Sequence, residues 1–162
     1  MTRRLPDVLA LWLLWAASVL AGGVPVTDLD GKSGAFADHV PAGRWTVVMM
    51  WTTYCGVCRQ QYPLVSAFHD AHQQKDGAVL GVSLDGPAAL DDVRAYVARK
   101  PFSFPTVVAD PDVMSRMFEQ ATGESFTGTP TYMVFNPARQ LVAIKSGTIS
   151  ENTLDDYLKK TP

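Results

Sequence analysis

Two uninterrupted apolar runs organise the chain: Thr46-Val47-Val48-Met49-Met50-Trp51 and Val79-Leu80-Gly81-Val82-Ser83-Leu84. A strand with one wet face alternates polar and apolar residues, whereas a continuous run of strand length suits a central strand covered on both sides. Between the runs, 55–74 reads as a helix with Pro63 inside it, where a kink is expected because proline removes a backbone donor. Strand, helix and strand with a crossover of that length predict a parallel βαβ unit. Downstream, Leu90, Val93, Tyr96 and Val97 share one helical face ahead of Pro101. A short strand at 106–109 leads into a helix over about 112–119, capped by Asp110 or Asp112, with Met114, Met117 and Phe118 as its core face. Residues 128–135 run from loop into strand, 136–140 turn, and 141–145 return as a hairpin partner. A last helix begins near Ser150, acidic over 151–156 and closed by Lys159 and Lys160, a polarity that suits the helix dipole; Leu154, Tyr157 and Leu158 form its buried stripe. At the other end, 24–27 predicts an edge strand or arm before the turn Asp30-Gly31-Lys32. The pattern predicts one α/β domain, a central mixed sheet flanked by helices on both faces, without repeats or an interdomain linker.

The first residues follow a different logic. Arg3 and Arg4 precede an apolar run from Val8 to Leu20, followed by small residues at Ala21 and Gly22. This is the layout of a secretory signal peptide, and the run falls short of the roughly 20 residues that span a bilayer as a helix. Residues 1–21 are therefore expected to be a leader cleaved after Ala21, with an uncleaved membrane anchor as the alternative, and 22–162 the mature domain in the periplasm. Without Arg3, Arg4 and Asp7, the 14 basic and 16 acidic residues become 12 and 15, a net charge of −3. No Lys/Arg cluster interleaves with aromatics, so no nucleic-acid partner is expected.

Export changes the meaning of the two cysteines, Cys55 and Cys58. A disulfide is permitted outside the cytosol. As a staple it would do little: closing a four-residue loop constrains the unfolded chain by about 2 kcal/mol, against about 4.7 kcal/mol for a hundred-residue loop. The pair reads better as chemistry. A cysteine opening a helix sits among unpaired backbone N–H groups at the positive end of the dipole, which lowers its thiol pKa. Cys55 is then the exposed nucleophile, and Cys58, nearly one turn on, can attack a mixed disulfide on Cys55 and release the partner. A zinc site would need about four N or S ligands, and no other cysteine exists.

The segment Trp51-Thr52-Thr53-Tyr54-Cys55-Gly56-Val57-Cys58-Arg59-Gln60-Gln61-Tyr62-Pro63 resembles the active-site stretch of the TlpA/ResA-like branch of periplasmic thioredoxin-fold proteins. Asp28-Leu29-Asp30-Gly31-Lys32, Thr127-Gly128-Thr129-Pro130-Thr131 and Gly147 resemble that branch's approach to the central strand, its cis-proline loop and its closing turn. The resemblance spans about 24–160. It implies a thioredoxin fold with a short N-terminal extension and a helix-strand insert over about 86–108. It further implies a cis Pro130 beside the dithiol, and a substrate groove formed by Trp51, Tyr54, Gly56, Val57, Thr129 and Pro130. Trp51 reads equally well as the end of a core strand. The implied activity is thiol–disulfide exchange with cysteine-containing periplasmic proteins, without a cofactor. Electrons would come from a membrane thiol transporter of the DsbD or CcdA type, and the role implied is one like that in cytochrome c maturation. An oxidase or isomerase, or a non-catalytic redox-sensing binding module, stands as the alternative.

Several residues depart from the branch's pattern. Tyr54 stands where relatives commonly carry Trp, Gln61 where many reductants carry a glutamate, and Met49 in the place of thioredoxin's buried aspartate. Without either carboxylate, Cys58 lacks an evident side-chain base, and slow resolution of the mixed disulfide is expected near neutral pH. Gly56-Val57 also lacks the histidine of strongly oxidising relatives, which leans toward a reductant. His69 and His72, three apart on the helix, lack a third ligand; they and His39 read as solvated polar positions, and no metal is expected.

Overall fold

The run at 46–51 forms the middle of the molecule. In the computed structural model, which describes residues 23–100, 102–150 and 152–160, it is strand β3 (Trp45–Trp51), buried at every position. β3 pairs in parallel with β4 (Gly77–Ser83) and antiparallel with β6 (Thr131–Phe135), and its two faces pack into separate core layers, so its continuous apolar character reflects cover on both faces. Helix α1 (Gly56–His72) joins β3 to β4 and runs through Pro63 without a break. The other elements are β1 (Pro25–Asp28), β2 (Ser33–Ala35), α2 (Leu90–Arg99), β5 (Thr106–Ala109), α3 (Pro111–Thr122), β7 (Leu141–Ser146) and α4 (Thr153–Lys160). One mixed sheet results, in the order β2-β1-β5-β4-β3-β6-β7.

Strand alternation sorts the core into two layers. Val47, Met49 and Trp51 face α1, α2 and α4, packing with Tyr62, Val65, Val93 and Leu154. Val48 and Met50 face the other way, onto Met114, Met117 and Phe118 of α3 and onto Phe36. α3 is punctuated as its sequence predicts: the Asp110 carboxylate accepts the N–H groups of Asp112 (3.0 Å) and Val113 (2.9 Å), and Gly123 ends the helix at φ 72°. The stretch 86–108 supplies α2 and β5, and β5 enters the sheet between β4 and β1.

Three expectations are corrected. β1 is not an edge strand: it pairs with β5 on one side and β2 on the other, because the turn at 28–32 folds β2 back over its free edge. Asp28 holds that turn by accepting from the N–H groups of Asp30 (3.0 Å) and Lys32 (2.9 Å). His69 is not solvated but buried, with Nδ1 accepting the Val79 N–H at 3.0 Å. His72 is tied rather than free: its ring stacks on Phe68, and its nitrogens meet Asp76 at 2.7 Å and Asp155 at 3.0 Å. The leader at 1–21 lies outside the described residues, as do Pro101 and Glu151. Among the described residues no helix is long and apolar enough to cross a membrane.

His69 gives the fold an acid sensitivity. Burial, reinforced by the Arg44 charge, holds its imidazole below the ordinary histidine value, against the opposing pull of Asp70 and Gln73. The unfolded chain then takes up this proton at about pH 6.5 while the folded one resists it, so stability is complete above that pH and falls below it. Relative to a His69→Gln variant, wild type will lose up to about 1.4 kcal/mol per pH unit on acidification below 6.5. Denaturant midpoints of both proteins at pH 7.5 and 5.5 check this; a constant difference would refute it.

Candidate active site

Beyond Trp51 the chain leaves the sheet, turns through 52–55 and enters α1. The Cys55 N–H donates to the Thr52 carbonyl at 3.2 Å, and Cys55 becomes the N-cap of α1. Its Sγ accepts the N–H of Cys58 at 3.0 Å, so the sulfur occupies the place where a helix start offers its unpaired donors. Cys55 and Cys58 form a disulfide, with Cα atoms 5.3 Å apart, inside the range that a bridge spans without backbone movement. Cys55 is half-buried and Cys58 wholly buried, which is the asymmetry required of an attacking and a resolving sulfur.

The strand opposite completes one wall. Thr129-Pro130 is a cis peptide bond, and the Thr129 carbonyl oxygen lies 3.6 Å from Cys55 Sγ. The loop is fixed on both sides: Thr131 Oγ1 donates to the Gly128 carbonyl at 2.6 Å, and the Gly147 N–H donates to the Pro130 carbonyl at 2.9 Å. Tyr54 is 78% exposed and Val57 43%, which makes an apolar rim around the half-buried sulfur. Next to it, Gly56, Val57, Arg59 and Gln60 line a shallow groove of about 660 Å³. Trp51 does not belong to that surface. It is fully buried, with its ring 5.6 Å from Tyr62 and 5.4 Å from Phe102, because the alternation of β3 turns it inward under α1.

Around Cys58 the structure shows what occupies the places of the missing carboxylates. Met49 is buried in the core opposite Tyr132. Gln61 is buried as well, and its Oε1 accepts the Ile149 N–H at 2.8 Å and the Tyr132 hydroxyl at 3.3 Å, linking α1 to β6 and to the segment ahead of α4. Burial pushes the Tyr132 and Tyr62 hydroxyls well above the usual tyrosine value, so both are neutral. Among the described residues no group of three or more His, Cys, Asp or Glu is arranged to hold a metal ion.

Sequence reasoning missed one member of the site. The Asp85 carboxylate, just past the end of β4, accepts both donors of Thr53, the N–H at 3.0 Å and the hydroxyl at 2.6 Å, and the Ser83 hydroxyl at 2.6 Å. The pairing that brings it there is parallel β3–β4 register, Trp51 opposite Ser83, extended by the Leu84 N–H to the Trp51 carbonyl at 2.8 Å. No spacing in the sequence encodes that register.

Comparison with known proteins agrees with this geometry. The model of the AhpC/TSA family matches residues 21–144. The sporulation thiol-disulfide oxidoreductase A of Bacillus subtilis is 20% identical over 119 residues, covering 73% of this chain and 68% of that protein. The thioredoxin domain of a Bacteroides vulgatus thiol-disulfide oxidoreductase superposes with a TM-score of 0.67 at 22% identity, over 85% of this chain and 94% of that one. The exposed lipoprotein thioredoxin of Streptococcus pneumoniae gives 0.66 at 19% identity, over 86% and 100%.

Proposed function

The chain belongs to the AhpC/TSA family of thioredoxin-fold proteins and is a thiol–disulfide oxidoreductase, and from that premise we propose that it works outside the cytosol as a reductant of protein disulfides through Cys55 and Cys58. The observation that carries this reading is the placement of Cys55 Sγ: half-buried, accepting the Cys58 N–H in the first turn of α1, and 3.6 Å from the Thr129 carbonyl. In the dithiol form the Cys55 thiolate attacks one sulfur of a partner disulfide. That S–S bond breaks, the partner's other sulfur leaves as thiolate, and a mixed disulfide forms. Cys58, as thiolate, then attacks Cys55 Sγ and expels the remaining partner sulfur. Two electrons have passed to the partner, and the pair is left as the disulfide seen in the structure.

The exposed rim of Tyr54, Gly56 and Val57, with Thr129 opposite on the turn that the buried Pro130 shapes, is the docking surface in this reading. Residues 1–21 act as the export leader, cleaved after Ala21, and 22–162 as the mature domain. The exposed thioredoxin of Streptococcus pneumoniae lends support to work at or beyond the membrane. A transporter of the DsbD or CcdA type would return electrons to the pair, and periplasmic cysteine proteins, apocytochrome c among them, are the targets. The reduction potential tests the direction of flow. Equilibration with glutathione is expected to place the couple nearer to thioredoxin's −270 mV than to the −120 mV of the oxidant DsbA; a value above about −180 mV would make the protein an oxidase or isomerase.

A further inference from the structure

Of the groups around the dithiol that exchange itself leaves without a task, the Asp85 carboxylate makes the densest set of contacts. Both its oxygens lie within reach of the Thr53 N–H, at 3.2 and 3.0 Å, and the hydroxyls of Thr53 and Ser83 each donate at 2.6 Å. Ser83 is fully buried, and Thr53 and Asp85 are half-buried, so this is a partly desolvated cluster rather than a surface contact. It sits where two β-strand ends meet the start of α1. Thr53 lies two residues ahead of Cys55, and the turn it belongs to carries the Cys55 N–H onto the Thr52 carbonyl. Asp85 therefore holds from below the turn that holds the sulfur.

The second consequence is electrostatic. Asp85 is held on Thr53, two residues ahead of Cys55, and an acidic group so placed disfavours a thiolate beside it. Asp85's charge is felt at the Tyr62 hydroxyl on α1, where Tyr96 of α2 and the Arg59 cation also act. Against it stand the start of α1 and Arg59, both positive, which favour the thiolate. Thiolate stability and redox poise are linked, because a dithiol form that is less stabilised gives up its electrons more readily. We infer that Asp85 is a positioning residue for disulfide exchange, fixing the Thr52–Cys55 turn through Thr53 and keeping the pair reducing by opposing the Cys55 thiolate. The inference rests on Cys55 being the attacking sulfur.

The test compares wild type, Asp85→Asn, Asp85→Glu and Thr53→Val in the mature protein. Two readouts are taken: the pH profile of Cys55 alkylation by iodoacetamide in the reduced form, and the equilibrium constant with glutathione. Asp85→Asn removes the charge and is expected to raise the neutral-pH alkylation rate about threefold, with the profile moving to lower pH. The glutathione equilibrium shifts about threefold toward the dithiol, which is about 14 mV at 29.6 mV per tenfold. Asp85→Glu returns both readouts toward wild type. Thr53→Val deletes the hydroxyl contact but leaves the charge, so it should loosen the turn, seen as a lower melting temperature, without moving the profile to lower pH. Unchanged readouts in Asp85→Asn, or an equal shift in Thr53→Val, overturn the inference while leaving Cys55 as nucleophile. If peptide mapping of wild type finds the alkyl group on Cys58 instead, the reading of Cys55 itself fails.

Discussion

Replacing Cys58 with alanine will turn the protein from a catalyst into a trap. In the proposed mechanism the half-buried Cys55 is the sulfur a partner reaches, and Cys58, fully buried three residues on, is the one that ends the encounter. Without it the mixed disulfide on Cys55 has no internal route to release, and turnover of a disulfide substrate falls to the background rate of external thiols. Covalent adducts accumulate that resist denaturant and disappear with dithiothreitol. The fold should survive, since a four-residue loop contributes only about 2 kcal/mol through the bridge. Cys55→Ala should give no adducts at all, because Cys58 lies out of a partner's reach. Expression of the Cys58→Ala protein in the periplasm, followed by non-reducing electrophoresis and identification of the attached proteins, reads the outcome. Adducts that form equally well on the Cys55→Ala protein would remove Cys55 from the nucleophile's role. A partner that stays bound with both sulfurs deleted would mark a binding module.

How far the sequence anticipated this site differs from residue to residue, and for physical reasons. Strand β3 was legible because burial on both faces leaves no polar alternation, and the dithiol because local chemistry, a cysteine at a helix start, is written in adjacent residues. The Pro130 loop was legible through its resemblance, and the structure places it against Cys55. Trp51 stayed open between groove and core because a residue at a strand end faces either according to the phase of the pleat; three aromatic neighbours from α1, α2 and the segment after it claim it for the core. His69 was misjudged for a similar reason. Its polarity suggests a wet face, but the close packing of α1 on β4 buries it and supplies the Val79 N–H as a partner. Asp85 depends on strand register and on a contact 32 residues away in sequence, information that a single chain does not display.

Gln61 offers the sharpest chemical test of how the pair resolves. Its Oε1 accepts from the Ile149 N–H and the Tyr132 hydroxyl, and a glutamate of the same shape can accept both, so Gln61→Glu should fold with its contacts intact. It lies three residues after Cys58, on the same side of α1, and both are buried. In that surrounding a carboxyl group is pushed above its ordinary value by loss of water, toward the neutral range where a proton acceptor works best. Wild type has Met49 and Gln61 in the two carboxylate places, so loss of the Cys58 proton should follow the thiol alone, and resolution should rise steadily across the alkaline range without an inflection below about pH 8. Gln61→Glu is expected to speed release of a peptide from its Cys55 mixed disulfide at pH 7 by about tenfold or more, and to add an inflection between pH 5 and 8. The same carboxyl carries a stability signature. A glutamate whose folded pKa is raised favours the fold while protonated, so the variant will be most stable, relative to wild type, in acid and will lose that advantage as pH rises above about 4.3. Stopped-flow release kinetics and urea midpoints across pH 4 to 9 measure both effects. A resolution profile that superposes on wild type would mean that Cys58 gives its proton to an acceptor other than the group at position 61.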